Sequence, residues 1–312
     1  MNGMDEITLV TAFFNIGREN WKGFVRNDDY YVSCFAHWAR LRNRLIVYTS
    51  PEVADKVRKI RDQYGLEDKT VIIPVDHVFE LDSELYHRIK EAMTQKISWL
   101  FHQKLANPES WNYNYNYIMA LKAFFVQDAV QRNLASGTVA WIDFGFDHGG
   151  GDFPHSEEFD FTWRYPFEPY IHLFLSRDLD DTPIFQIVHH MDEYVRGGII
   201  IAPDNLWKHL WGGVRNAYLS LADCGLSDDD QTVLLMVYRR HPELFKLHKT
   251  AYWGEALKAY GGDQLTLGPN PTYNKIKDGM KRKMKRYLKK QVQKLDIRRR
   301  HGTEIERLYF NE

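Results

Sequence analysis

The residues best suited to chemistry lie in the segment Trp141-Ile142-Asp143-Phe144-Gly145-Phe146-Asp147-His148. An apolar run ends there in Asp143, a second acid, Asp147, follows, and glycines come next. A carboxylate at the end of a strand can hold Mg²⁺ or Mn²⁺, which are hard ions that prefer oxygen ligands. Such an ion acts as a Lewis acid that neutralises the charge developing on a leaving diphosphate. The pattern therefore predicts a metal and diphosphate site centred on Asp143; the alternative is that Asp143 only caps a turn.

A second group of acids, Asp228-Asp229-Asp230, follows Ser227 at the start of a predicted helix. Acids at a helix N-terminus stabilise its dipole by about 0.3–1 kcal/mol, and Ser227 is a suitable N-cap, so plain capping is one interpretation. Three acids exceed what capping requires. We therefore expect Asp229 or Asp230 to be a general base that removes the proton of an attacking hydroxyl. The two differ by about 100° around a helix, so only one is expected to point into the site.

The elements that must position these residues are strands and helices in alternation. Apolar runs predict strands at Ile7–Asn15, Arg44–Ser50 and Thr70–Asp76, with helical patterns between them. This β-α-β-α-β order indicates a parallel, doubly wound sheet. Further strands are predicted at TVAWIDF and at Val195–Pro203. Ligands of such sheets bind outside the carboxyl ends of the strands, which is where Asp143 lies.

Two segments, LVTAFFNIGREN and WIDFGFDHGG, resemble the HtrL/YibB family of bacterial proteins, and the resemblance extends from about Ile7 to Gly261. That family is associated with lipopolysaccharide and capsule gene clusters and is regarded as glycosyltransferase-like. The resemblance implies a GT-A-like fold: α/β, with a Rossmann-type, mostly parallel central sheet flanked by helices. We expect this domain to span residues 1–268, with a basic C-terminal helix in a tail of residues 269–312.

The order of motifs is also similar to that of GT-A transferases of the galactosyltransferase and glycogenin type. The corresponding positions here are Tyr117, Lys122, Asp143, Arg196-Gly197-Gly198, Asp230-Gln231 and His248. Two positions depart from that pattern, because Gly145 replaces the second acid and Arg196 replaces an Asn. The resemblance implies donor contacts at Lys122, Gly197, Gly198 and Gln231. It also implies a metal site drawn from Asp143, Asp147 and His248: either Asp147 replaces the missing ligand, or Asp143 and His248 hold the metal with waters.

The resemblance also implies that the end of the first strand binds the nucleoside of the donor. The residues concerned are Thr11, Ala12, Phe13, Asn15 and Arg18. The cationic Arg18 could pair with diphosphate oxygens. Phe13 has an alternative interpretation as a core residue, and Lys122 as a solvated residue on its helix.

Composition and charge bound the class of protein. Two cysteines in 312 residues are too few for a disulfide framework, and the N-terminus lacks the pattern of a signal peptide, so we expect a cytoplasmic protein. The net charge is −1, yet residues 275–300 carry 13 Lys and Arg against two acids. Apolar residues at four-residue spacing in this segment predict an amphipathic helix peripheral on an anionic inner membrane surface. The alternative is a helix packed on the acidic body; nucleic-acid binding is not expected.

These observations predict a glycosyltransferase of the hexosyltransferase type. It would move a sugar from a nucleotide-sugar, expected to be a UDP-sugar, to a cell-envelope saccharide such as lipopolysaccharide, lipooligosaccharide or capsule, with a divalent metal as cofactor. One alternative is a catalytically inactive, membrane-associated binding protein with the same fold. Another is a nucleotidyltransferase, which would be expected to carry a Gly-rich phosphate loop after the first strand, whereas FFNIGREN has one glycine.

Overall fold

A computed structural model describes residues 6–21, 26–269 and 288 of the chain. Seven strands form the sheet: β1 Thr8–Phe13, β2 Leu45–Thr49, β3 Thr70–Pro74, β4 Thr138–Ile142, β5 Ile171–Leu175, β6 Val195–Pro203 and β7 Phe245–Lys249. The helices of the described part are α1 Asp28–Trp38, α2 Pro51–Asp62, α3 Ser83–Thr94, α4 Lys96–Phe101, α5 Tyr113–Gln131, α6 Ile184–His190, α7 Trp207–Asp223, α8 Asp230–Arg240 and α9 Glu255–Lys258.

The sheet has the strand order β3-β2-β1-β4-β6-β5-β7. Strands β3, β2, β1 and β4 are parallel to one another, and β5 is parallel to β7. Strand β6 runs antiparallel to both β4 and β5. The predicted α/β class, with a mostly parallel sheet flanked by helices, is confirmed. Strands β5 and β7 and the reversed direction of β6 were not predicted from the sequence.

Alternation along the strands builds a hydrophobic core on each face of the sheet. In β1, Val10 packs into one core and Leu9 into the other, as expected when successive side chains point to opposite faces. One core also contains buried residues of α3, α5, α7 and α8, whereas the other contains residues of α1, α2 and α9. Because both faces are covered, the strands read as continuous apolar runs rather than alternating ones.

The topology gathers one set of strand ends at a single edge of the sheet, which we call the ligand edge. It contains the carboxyl ends of every strand except β6, and the beginning of β6 lies there instead. In the register between β4 and β6, Ile142 faces Ile199, so Asp143 follows directly and its N–H donates to the carbonyl of Gly198 at 2.9 Å. Asp143 is therefore held at the centre of the ligand edge.

The compact unit that contains the sheet ends at Gly268. The basic segment 275–300 lies outside the described residues apart from Leu288, so the amphipathic helix and its membrane contact stay predictions. Among the helices that the structure describes, none has both the length and the apolar character needed to cross a bilayer.

Candidate functional site

Three charged side chains meet at the ligand edge, and we call them the charge cluster: Lys122, Asp143 and Asp230. The ammonium group of Lys122, on α5, lies 2.9 Å from Oδ1 of Asp143 and 2.9 Å from Oδ2 of Asp230, the first residue of α8. It also donates to the carbonyl of Gly197 at 3.1 Å. The side chains of Lys122 and Asp230 are 5% and 8% exposed, whereas that of Asp143 is 37% exposed. Asp143 is thus the member of the cluster that a ligand can reach.

Electrostatics keep Lys122 charged in this buried position. Burial alone would lower its pKa, but the carboxylates of Asp143 and Asp230 outweigh burial and hold the pKa above its ordinary value. A buried charge is tolerated only when it is paired and hydrogen-bonded, which the two carboxylates and one carbonyl achieve here. The interpretation of Lys122 as a solvated helix residue is therefore wrong.

Gly197 and Gly198 give the cluster the space it needs. A Cβ atom on Gly197 would lie 1.8 Å from Oδ2 of Asp230, so any larger residue would displace that carboxylate. A Cβ atom on Gly198 would lie 3.7 Å from Oδ2 of Asp143, which is ordinary contact. The position of Gly197 beside Asp230 is thus explained by packing; donor contacts at Gly197 and Gly198 stay predictions.

One oxygen of Asp143 remains open. Oδ1 accepts hydrogen bonds from Nε1–H of Trp141 at 2.7 Å and from Lys122. No hydrogen bond within the described residues reaches Oδ2. Mg²⁺ commonly binds proteins through one or two carboxylates and takes its remaining ligands from phosphates and water. Oδ2 of Asp143 fits that role as a single protein ligand for a cation that arrives with a diphosphate.

Asp147 lies in a different environment, although it belongs to the same sequence segment. Four consecutive residues from Asp147 to Gly150 have positive φ angles of 61°, 48°, 74° and 103°, which make a left-handed turn. Oδ1 of Asp147 accepts the N–H groups of Asp152 at 2.5 Å and Phe153 at 3.2 Å. The side chain is fully buried, and burial raises the pKa of its carboxyl to about 7. Asp147 therefore holds the loop together.

His248, on β7, belongs to a neutral hydrogen-bonded chain. Nε2 of His172 lies 2.8 Å from the carbonyl of Glu168, which can only accept, so Nδ1 of His172 must accept from Nε2–H of His248 at 2.7 Å. Nδ1 of His248 then accepts the hydroxyl of Tyr260 at 2.8 Å. Burial lowers the pKa of His248 to about 4. Both nitrogens of His248 are occupied by protein partners.

These contacts correct the predicted metal set. Across residues 6–21 and 26–269, no three His, Cys, Asp or Glu side chains are grouped so that they could hold one metal ion. Asp143, Asp147 and His248 are thus not brought together, because backbone amides occupy Asp147 and ring and hydroxyl groups occupy His248. Asp143 is the one member of that set with an open oxygen.

The two predicted bases also differ in their contacts. Asp229, not Ser227, is the N-cap of α8, and its Oδ1 accepts the N–H of Gln231 at 3.1 Å. Ser227 is buried and bonds to Asn116 instead. Asp230 is paired with Lys122. Burial, reinforced by the neighbouring carboxylates, raises the pKa of half-buried Asp229 well above its ordinary value. Asp229 is therefore the acid whose carboxyl is not engaged in an ion pair.

The predicted nucleoside segment divides into core and cleft residues. Phe13 packs in the core, with ring centroids 4.9 Å from Tyr31 and 5.0 Å from Phe144. Thr11 is buried, and its hydroxyl has no hydrogen-bond partner among the residues described. Ala12 is half-buried, and exposed Asn15 caps its own turn through the N–H of Gly17.

Arg18 is enclosed by aromatic rings. Its guanidinium carbon lies 4.8 Å from the ring centroid of Trp21, 5.3 Å from that of Tyr31 and 5.7 Å from that of Tyr115. One terminal nitrogen donates to the Tyr31 hydroxyl, whereas buried Nε has no partner in the described part of the chain. A buried donor without a partner is costly, so the described residues leave this guanidinium incompletely satisfied.

Several residues near Asp143 were not singled out as site residues by sequence reasoning. Trp253 is exposed beside Gly198, and the guanidinium of Arg196 lies over its ring. Asp152 accepts the N–H of Gly254 at 2.6 Å and joins the loop after β7 to the loop after β4. No motif signals these residues, because the fold brings together segments that are 100 residues apart.

Two solved structures are similar in outline: mouse xyloside xylosyltransferase 1 in its apo form (TM-score 0.42, 14% identity, covering 81% of this chain and 93% of that one) and the PaToxG glycosyltransferase (TM-score 0.35, 11% identity, covering 77% and 72%). Such distant likeness says nothing about individual residues.

Protein HtrL of Escherichia coli (strain K12) is 32% identical over 256 residues, which cover 77% of this chain and 87% of HtrL. A family model described as "Bacterial protein of unknown function (HtrL_YibB)" matches residues 5–261. The chain therefore belongs to the HtrL/YibB family.

Proposed function

We propose that the chain is a GT-A-like glycosyltransferase that moves a sugar from a UDP-sugar to a cell-envelope saccharide such as lipopolysaccharide, lipooligosaccharide or capsule. The observation that carries this proposal is the open Oδ2 of Asp143 at the centre of the ligand edge, on a carboxylate whose other oxygen, Oδ1, is held by Lys122. A carboxylate fixed in this way is preorganised, because its partner does not have to move when a ligand binds.

The donor would lie along the ligand edge. Its nucleoside would contact the segment from Thr11 to Asn15, and its diphosphate would extend between Arg18 and Asp143. The guanidinium of Arg18 would pair with a phosphate oxygen, and such a charge-assisted hydrogen bond is of the strong kind. A divalent cation on Oδ2 of Asp143 would neutralise the negative charge of the diphosphate as it leaves.

In the transfer step, the oxygen of an acceptor hydroxyl forms a bond to the anomeric carbon of the donor sugar. The bond from that carbon to the diphosphate oxygen breaks, and its electron pair leaves with the diphosphate. We assign Asp229 as the group that takes the hydroxyl proton, because Asp230 is already paired with Lys122. Burial and the neighbouring carboxylates raise the pKa of Asp229, and a carboxylate with a raised pKa is a stronger base.

Calorimetric titration with UDP and UDP-sugars, with and without Mn²⁺, tests this proposal, followed by a search for released UDP in the presence of saccharides. Asp143→Ala is the test variant, and Asp147→Asn is its matched control from the same segment. We expect UDP binding in the native protein and the control and its loss in Asp143→Ala. Absence of any binding of UDP with Mn²⁺ present would contradict the proposal. Binding without turnover of any UDP-sugar would support a non-catalytic binding protein.

We further propose that the basic segment 275–300 binds the anionic inner surface of the cytoplasmic membrane, where a lipid-anchored acceptor would be found. Basic residues near such a surface each contribute about 1 kcal/mol of attraction. Removal of residues 275–312 should abolish co-sedimentation with vesicles that contain phosphatidylglycerol. Undiminished co-sedimentation of the shortened chain would reject this role of the segment.

A further inference from the structure

Trp253 stands out among the exposed aromatic residues because it lies next to the charge cluster. It is 42% exposed and follows β7, the last strand along the ligand edge. A methyl group built on Gly198 would lie 3.5 Å from the benzo ring of Trp253 and 3.7 Å from Oδ2 of Asp143. The indole and the open carboxylate oxygen therefore flank the same point.

Arg196 contacts the indole itself, and two further contacts fix Gly254, the next residue of the loop. The guanidinium carbon of Arg196 lies 5.2 Å from the ring centroid, and Nε of Arg196 donates to the hydroxyl of Thr250 at 3.0 Å. At the next residue, the N–H of Gly254 donates to Asp152. A Cβ atom on Gly254 would lie 2.5 Å from the ring of Phe153, so the loop packs closely there. An exposed indole on a backbone fixed in this way loses less freedom when a ligand stacks on it than an indole on a free loop would.

The strand order indicates which part of a substrate would reach Trp253. Along the ligand edge, β1 with its nucleoside segment lies on one side of β4 and Asp143. Strands β6, β5 and β7 lie on the other side, and Trp253 follows β7. A donor that extends from β1 to Asp143 places its sugar at Asp143. The next group beyond that sugar is the acceptor.

We infer that Trp253 is the platform on which a pyranose ring of the acceptor saccharide stacks. This inference rests on the proposed transferase function and adds an acceptor subsite to it. A pyranose has an apolar face of C–H groups that matches an indole, and its hydroxyls project from the rim. Arg196 and Asp152, which flank the indole segment, supply a donor and an acceptor for such hydroxyls. A mostly apolar surface with a few fixed polar groups is the usual composition of a small-ligand site.

Trp111 is the rival platform. It is 37% exposed, but it packs edge-on against Trp21, with centroids 5.1 Å apart, beside the rings that enclose Arg18. That position is on the nucleoside side of the cleft. Trp111→Ala is therefore a matched control, since it removes an indole of similar exposure from the other side.

Saturation-transfer NMR with methyl β-glucoside, methyl β-galactoside and methyl β-N-acetylglucosaminide, in the presence of UDP and Mn²⁺, tests the inference. We expect saturation of the ring C–H protons of at least one glycoside by the native protein. The signal should fall roughly 3- to 10-fold in Trp253→Ala and persist in Trp253→Phe and Trp111→Ala. The UDP signal in the same tube reports whether each variant is folded.

The outcomes separate the inference from the proposed function. No saturation of UDP by the native protein would contradict the transferase proposal. Saturation of UDP with no glycoside signal, or a glycoside signal that survives in Trp253→Ala, would overturn the acceptor platform alone. Loss of the glycoside signal in Trp111→Ala but not in Trp253→Ala would move the subsite to the other side of the cleft and would also overturn it.

Discussion

Asp143 and Asp147 lie in one short segment, yet the fold treats them in opposite ways. Asp143 keeps one oxygen open and uses the other to hold Lys122 and Trp141. Asp147 is fully buried, and backbone amides of its own loop occupy its carboxylate. His248 resembles Asp147 in this respect, because both of its nitrogens have protein partners. The difference shows that a polar residue predicted from its sequence position can bind a ligand only when one of its polar atoms has no partner within the protein.

The largest effect, a loss of stability, should follow from removing the charge of Lys122, which holds Asp143 in place. Lys122→Met leaves the buried carboxylate of Asp230 without a partner, and breaking a buried pair in this way costs about 3–5 kcal/mol. Urea unfolding at pH 7.5 measures the loss. The double variant Lys122→Met with Asp230→Asn should recover part of it, because the buried charge is then absent. A loss below about 1 kcal/mol in the single variant would show that the pair is not buried as described.

Asp143→Asn should reduce transfer more than it reduces stability. The amide no longer attracts a cation or places charge at the diphosphate, and we expect release of UDP from a UDP-sugar to fall about 100-fold or more. The free energy of unfolding should change less than in Lys122→Met, because Asp230 still pairs with the buried ammonium group of Lys122. Asp147→Asn, measured beside it, should keep transfer within about threefold of the native rate. Equal losses of transfer in Asp143→Asn and Asp147→Asn would contradict the conclusion that only Asp143 is available to a ligand.

Asp147→Asn should instead change how stability depends on pH. The folded-state pKa of about 7 lies above the ordinary value of 3.8, so between these values the native state retains a proton that the unfolded state has lost. This group therefore makes stability fall as pH rises from 3.8 to 7. The neutral amide lacks that dependence, and the variant should be about 1–2 kcal/mol more stable than the native protein at pH 8, with no advantage near pH 4. Chemical unfolding at several pH values checks this, and a constant difference between the two proteins would contradict it.

His248→Gln should give the smallest effect, with the opposite sign of pH dependence. The folded-state pKa of about 4 lies below the ordinary 6.5, so the unfolded state binds the proton first as pH falls. The native protein should lose about 1 kcal/mol more stability than the variant between pH 7 and pH 5. Glutamine can keep both hydrogen bonds without titrating. The Mn²⁺ concentration needed for half-maximal transfer should be unchanged; a marked increase would return His248 to the metal site.

Much of the sheet could be predicted because its signals are local. Strands β1, β2 and β3 are short apolar runs, and Pro51 and Gly65 mark the limits of the helical stretch between two of them. Strand β7, with the sequence FKLHK, was missed because its lysines disguise an edge strand. The direction of β6 was missed because it depends on which neighbour the strand meets, which periodicity does not record.

The site was harder to predict than the sheet because its contacts are distant in sequence. The ion pair of Lys122 with Asp230 joins residues 108 positions apart, so the sequence could show a helical lysine but not its burial. The backbone hydrogen bonds to Asp147 depend on a left-handed turn, which Gly149 and Gly150 permit but do not predict by themselves. The resemblance to transferases predicted the order of the motifs. Which polar atoms of the site residues are free for a ligand can be seen only in the folded structure.

The position of β1 between β2 and β4 has a consequence for the newborn chain on the ribosome. Strand β2 emerges soon after β1, but β4 ends at Ile142, about 130 residues after β1, which takes roughly 6–26 s at ordinary rates of synthesis. During that interval one side of β1 has no strand to pair with, and an open apolar edge is a template for association between chains. Strand β1, which lies inside the finished sheet, is therefore an exposed edge during synthesis until Thr138–Ile142 pairs with it.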